Sequence, residues 1–144
     1  MEHVALTRLI DKMKLVNLTP EIEVKGIKIK QPDINRPALQ MAGYLKHFDA
    51  SRLQVIGFVE YSYFSDLEEA RKREVCDEMM SYDLPAFVFC RELEPDPIFL
   101  EEALAHRIPV LSTKKTTSSF MAEAIRWLNV KLAPCISVHG VLVD

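Results

Sequence analysis

The chain has 144 residues, 49% hydrophobic and 27% charged, with 18 Lys and Arg against 21 Asp and Glu for a net charge of −3. That is one domain's worth of polypeptide, able to bury a core without staples, and its balance excludes a disordered tail and a collagen-like fibre. No apolar run approaches the roughly 18 residues of a membrane-spanning helix, and the acidic excess argues against a duplex-binding surface. The N-terminus, MEHVALTRLIDKMK, carries charges through its apolar positions and does not read as a signal peptide. The expected address is cytoplasmic, with neither nucleic acid nor membrane as partner. Cys76, Cys90 and Cys135 are too few and too scattered for a disulfide framework or a zinc site, and each lies in or beside an apolar stretch, as buried reduced thiols do.

Taken in chain order, Thr7 can cap a short helix with Leu9, Ile10 and Met13 on its inner side. Ile27-Lys28-Ile29-Lys30 alternates apolar and basic residues, the period of a half-exposed strand. The turn-rich segment Pro32–Pro37 leads into a helix carrying Leu39, Met41, Ala42 and Leu45. Leu53–Val59 is a nearly continuous apolar run, the pattern of a strand covered on both faces. Ser65-Asp66-Leu67-Glu68 has the form of a capping box, with Leu67, Ala70, Val75 and Met79 on one face of the helix that follows. Pro85–Cys90 is a second buried strand, and Asp96-Pro97 places an N-cap before a first-turn proline. Phe99, Leu100, Ala103 and Leu104 supply that helix's stripe. Ile108–Leu111 is a third strand. Thr117 or Ser118 caps a last helix whose face is Phe120, Met121, Ala124, Ile125 and Leu128, and Cys135–Asp144 reads as a further strand. Strands alternating with helices at this spacing predict an α/β domain with a largely parallel sheet and flanking helices.

The chain's four glycines, Gly26, Gly43, Gly57 and Gly140, are isolated, so neither a Walker A loop nor a dinucleotide-binding turn can be assembled from them. Lys114, Lys115, Thr116, Thr117 and Ser118 sit where a parallel strand gives way to a helix. Free N–H groups, hydroxyls and two ammonium groups there can hold an anion, or the hydroxyls can cap the helix while the lysines face water. Asp33, Asn35 and Arg36, between two prolines, can display a guanidinium to a ligand or tie the loop to the sheet. Glu60-Tyr61-Ser62-Tyr63 follows the end of a buried strand, where open α/β sheets present ligand crevices, although tyrosines there also serve packing. His139 is conspicuous as a titratable ring in the apolar run ISVHGVLVD. His3, His47 and His106 show no ligand spacing with it or with one another, and no metal site is expected.

From Leu15 onward the chain resembles the N-terminal region of bacterial HPr kinase/phosphorylase. The segments that carry the resemblance are INRPALQMAGY, IGFVEYSY, IPVLSTKKTTSSF and SVHGVLVD, the last similar to the strand that opens that family's kinase domain. The resemblance implies residues 1–131 as the family's N-terminal domain and 132–144 as a linker and the first strand of the catalytic domain. It implies a parent enzyme that phosphorylates a serine of HPr, the phosphocarrier of the sugar phosphotransferase system, and removes that phosphate by phosphorolysis, in carbon catabolite control. ATP or pyrophosphate and Mg²⁺ are the implied cofactors of the parent, none of them held by this chain. HPr is the implied partner, bound through the catalytic half, and a homo-hexamer the implied assembly. Only His139 matches an active-site position of the family. The domain also resembles the uridine-nucleotide-binding domain of muramyl ligases and, in its back half, DRTGG regulatory modules. The alternative is a module that senses a phosphorylated metabolite or nucleotide without catalysis.

Overall fold

The computed structural model describes residues 3–133. His139 and Cys135, together with the strand expected over 135–144, lie outside the described residues. The described part runs β1 (Val4–Ala5), α1 (Leu6–Met13), β2 (Val16–Asn17), β3 (Lys28–Ile29), β4 (Ile34–Asn35), α2 (Ala38–Met41), β5 (Leu53–Ile56), α3 (Phe58–Ser65), α4 (Glu69–Met80), β6 (Phe87–Phe89), α5 (Pro97–His106), β7 (Val110–Ser112) and α6 (Thr117–Leu132).

The main sheet has the order β2-β7-β6-β5-β4. Its neighbours from β4 to β7 are parallel, and β2 closes the far edge antiparallel to β7 with Val16 opposite Ser112. β1 and β3 form a separate antiparallel ribbon, Val4 opposite Ile29. The strand period of two divides the core cleanly. Leu53, Val55, Ala86, Val88, Cys90 and Leu111 face one side, where α1, α6 and the ribbon cover them with Leu6, Leu9, Ile29, Phe120, Ala124 and Leu128. Ile56, Phe87, Phe89 and Val110 face the other, against Phe64, Val75, Cys76, Met79, Phe99 and Ala103 of α3, α4 and α5. The result is the expected α/β domain, a mostly parallel sheet between two helical layers. Phe99 is the hub of the second layer, meeting Phe64, Phe87 and Phe89 edge-on at centroid distances of 5.4, 4.9 and 5.1 Å.

Several local expectations need correction. The strand expected over Leu53–Val59 ends at Ile56, and Phe58–Ser65 is a helix. Apolar residues fill both elements, so their periods blur into one run. Glu60-Tyr61-Ser62-Tyr63 is therefore helical rather than a loop beyond a strand. Ser65 ends α3 instead of opening a capping box, and α4 begins after Glu68 without a side-chain cap. Accordingly Ala70 is exposed, and α4 buries Val75, Cys76, Met79 and Met80. The first helix starts after Ala5, two residues before Thr7. The helix after Pro37 is a single turn whose Leu39 points outward, 62% exposed. The last helix is capped by Thr116, whose Oγ1 accepts the Ser119 N–H at 3.2 Å, rather than by Thr117 or Ser118. Asp96 caps α5 as expected, with its carboxylate accepting the Ile98 N–H at 2.8 Å and Pro97 in the first turn.

Candidate functional site at the carboxyl edge of the sheet

Four parallel strands deliver their following residues to one edge. Arg36 follows β4, Gly57 follows β5, Cys90 follows β6, and the Thr113–Thr117 segment follows β7. Glu60, in the first turn of α3, is the knot that joins them. Its Oε1 accepts the Gly57 N–H at 2.7 Å, satisfying one of the donors a helix start leaves open, and accepts from Arg36 Nη2 at 2.8 Å and Nε at 3.3 Å. Its side chain is 4% exposed while that of Arg36 is 38%, so the carboxylate is interior and the guanidinium reaches the surface. A Cβ on Gly57 would lie 2.6 Å from Arg36 Nη2 and 2.7 Å from Thr117 Oγ1. Any side chain here forces Arg36 and Thr117 to shift, so glycine is favoured by close approach and not by its φ of −101°, which is open to any residue.

The hydroxyl of Thr117 also hydrogen-bonds the Cys90 side chain. Burial pushes the Cys90 thiol up to about 11, with the Thr117 hydrogen bond and the charge of Arg36 opposing the rise. Burial likewise raises the Cys76 thiol to about 12. Neither is a thiolate near neutral pH, which fits buried reduced thiols and not nucleophiles. Beside the knot, the half-buried Asn35 donates its Nδ2 to the buried Gln40 Oε1 at 3.0 Å and Gln54 Oε1 at 2.7 Å, which supplies those oxygens with a donor. Asp33 stands apart, 3.9 Å from Arg52.

The residues expected to hold an anion separate into two groups. Thr116 uses its hydroxyl as the helix cap, and Thr117 turns inward over Gly57. Ser118 is exposed. Lys114 Nζ lies 4.0 Å from Glu92 and Lys115 Nζ 3.2 Å from Glu123, so each ammonium faces a carboxylate. Both lysines nevertheless line an open groove of about 710 Å³ shared with Lys14, Thr113, Glu92 and Leu93. Its wall is held by two consecutive residues in the left-handed region, Arg91 at φ 60° and Glu92 at φ 55°. Non-glycine residues adopt this conformation at a cost of about 1–2 kcal/mol each. Their N–H groups donate to Lys115 O and Thr113 O at 2.9 Å, which clips the β6–α5 loop to the β7–α6 loop.

Sequence reasoning passed over Glu60 as a structural centre. The available signal was a glutamate three residues after a glycine that ends a buried strand, the N3 spacing of a helix start. The histidines show no ligand spacing with one another in the sequence, yet the fold brings the His106 ring to the carboxylates of Asp77 and Glu102.

Residues 4–128 match the family described as HPr Serine kinase N terminus. The chain belongs to that family. An HPr kinase/phosphorylase of Lachnoclostridium phytofermentans is 50% identical over 144 residues, covering 100% of this chain and 47% of the relative. Those of Alkaliphilus metalliredigens and Limosilactobacillus reuteri are 34% and 38% identical, covering 100% and 99% of this chain but 46% and 44% of the relatives. This HPr serine kinase N-terminal domain thus spans just under half the length of the curated relatives it matches. A solved structure of the CBS and DRTGG domains from the regulatory region of a Clostridium perfringens pyrophosphatase, complexed with the activator diadenosine tetraphosphate, superposes with a TM-score of 0.53. It is 15% identical and is covered over 45% of its length by 84% of this chain, a likeness of fold. Among the described residues, no helix is long and apolar enough to cross a membrane.

Proposed function

We propose that this chain is the regulatory and assembly domain of a bifunctional HPr serine kinase/phosphorylase acting in carbon catabolite control. The observation that carries the reading is the 50% identity along the whole chain to a kinase/phosphorylase more than twice its length. In this reading residues 1–131 are the domain, and 132–144 lead into a catalytic half that binds HPr, ATP or pyrophosphate and Mg²⁺, with His139 as its first active-site residue. The parent is a cytoplasmic hexamer. The chain alone transfers no phosphate, because phosphoryl transfer is positioning plus charge stabilisation, and four isolated glycines provide no phosphate loop. Two measurements test this. The isolated chain, given HPr, labelled ATP and Mg²⁺, leaves HPr unlabelled. A chimera in which this chain replaces the N-terminal half of the Lachnoclostridium relative phosphorylates HPr and assembles as the parent does. Label on HPr from the isolated chain, or a chimera that folds but neither assembles nor acts, refutes the reading.

The groove beside Lys14, Lys114 and Lys115 favours a second role, as a sensor of a phosphorylated metabolite or nucleotide. A ligand of that kind stabilises the fold by about 2.7 kcal/mol at a hundredfold excess over Kd. A melting screen with phosphates, nucleotides and sugar phosphates decides it. Stabilisation that survives Lys114→Ala with Lys115→Ala places the site elsewhere.

A further inference from the structure

On the outer helical layer, away from the carboxyl edge, Glu102 and His106 lie one turn apart on α5 and face Asp77 on α4. His106 Nε2 is 3.0 Å from Asp77 Oδ1 and 3.8 Å from Glu102 Oε1. The three donor atoms all fall within 4.8 Å of one another. We propose that Asp77, Glu102 and His106 form a divalent transition-metal site, suited to Zn²⁺, that staples α4 to α5.

Imidazole nitrogen and carboxylate oxygen are both zinc donors, and three protein donors leave a coordination position to water. Zinc held at 2.0–2.2 Å in a tetrahedron sets its donors about 3.4 Å apart. The 3.0 and 3.8 Å separations from Nε2 bracket that value, and the Asp77 and Glu102 oxygens lie within 4.8 Å of each other. The i, i+4 spacing of Glu102 and His106 places both on one face of α5. The two helices are already pinned on the N-terminal side of the cluster. Lys72 Nζ pairs with Asp96 at 2.8 Å, both side chains largely buried, and Arg73 Nη1 pairs with Glu101 at 2.8 Å.

Arg73 also donates to the second oxygen of Glu102 at 3.2 Å, leaving Oε1 turned toward the histidine. An outer partner of this kind fixes a ligating carboxylate in place. Arg73 is shared among Glu69, Glu101 and Glu102, and Asp77 adds a fourth carboxylate, so negative charge exceeds positive around the cluster. That field attracts a divalent cation. Mg²⁺ and Ca²⁺, which want six or more oxygen ligands, gain little from an imidazole.

The competing arrangement is a plain Asp–His–Glu ion-pair cluster with no affinity for metal, and the two predict different titrations. The full chain, isotope-labelled and titrated with ZnCl₂, is followed by amide NMR and by calorimetry for stoichiometry, with MgCl₂ as the comparison. The expected result is saturable binding of one zinc per chain at this site, with shifts centred on Asp77, Glu102 and His106 and no such response to Mg²⁺. His106→Ala and, separately, Asp77→Asn each weaken that binding at least tenfold. Asp77 is 74% exposed, so its variant folds even if the histidine variant does not. Absence of saturable zinc binding, or zinc binding unchanged in Asp77→Asn, overturns the assignment.

Discussion

Removing the carboxylate of Glu60 tests whether the knot at the carboxyl edge holds the fold together. In Glu60→Ala the Gly57 N–H loses its acceptor in a buried position, and the Arg36 guanidinium loses its partner. An orphaned buried donor costs about 1–3 kcal/mol. Stripping one member from a fully buried ion pair costs about 3–5 kcal/mol, but Arg36 is more than a third exposed and water compensates it, so the ion-pair share falls toward the about 1 kcal/mol of a surface pair. Together these give a loss of about 2–4 kcal/mol. With an unfolding entropy of about 2.1 cal/mol/K per residue over this chain, that lowers Tm by about 7–13 °C. Glu60→Gln keeps an oxygen in place to accept the Gly57 N–H and loses only charge, so it costs about 1 kcal/mol. Urea and thermal unfolding of both variants, with Arg36→Ala to complete a double-mutant cycle, measure the terms separately. Should Glu60→Ala cost less than about 0.5 kcal/mol, or Glu60→Gln cost as much as the alanine variant, the assignment of the buried N–H as the main term is wrong.

Asp96→Ala removes both the cap on α5 and the largely buried contact with Lys72, and is expected to cost about 2–3 kcal/mol in urea melts, whereas Asp96→Asn retains the cap and loses less. Phe99→Ala empties the centre of three edge-to-face contacts and costs about 3–5 kcal/mol, while Phe99→Leu costs clearly less; equal losses would mean that the rings do not pack as described. Cys76 and Cys90 resist iodoacetamide at pH 8 in the native protein and react once it is unfolded, as peptide mapping would show. Their folded-state values lie above the ordinary thiol value of 9, so the stability tied to the neutral thiols is complete below pH 9 and declines as pH rises toward 11–12.

The layered α/β architecture was legible because its strands are short apolar runs and its longest helix shows a clear stripe. Phe120, Ala124 and Leu128 are all fully buried, as their spacing requires. Asp96-Pro97 marked a helix start because cap chemistry is local. α3 was invisible for the opposite reason. FVEYSYFS is apolar on most sides, with Phe58 and Val59 more than half exposed and Phe64 buried, so no period separates it from the strand before it. The carboxyl-edge knot and the meeting of His106 with Asp77 were hidden because the partners come from distant segments. Arg36 and Glu60 are 24 residues apart and Asp77 and His106 are 29 apart, and only the crossovers bring them together.

The antiparallel edge strand β2 has a consequence for the order in which the chain assembles. Val16 pairs with Ser112, 96 residues away, whereas Val55 meets Val88 after 33. Closing the longer loop costs about 1 kcal/mol more in chain entropy, before counting the short length of the strand it wins. The contacts that repay it are few. Leu18 donates to the Val110 carbonyl at 2.9 Å, and the Thr19 hydroxyl accepts the Val110 N–H at 3.0 Å. The segment Val16–Thr19 is therefore a clasp that fastens after the β4–β7 units have formed. During synthesis it leaves the ribosome first and must wait for the strand at Val110. Weakening the clasp by Thr19→Val should accelerate unfolding while leaving the refolding rate nearly unchanged, the kinetic mark of a contact made after the barrier is crossed.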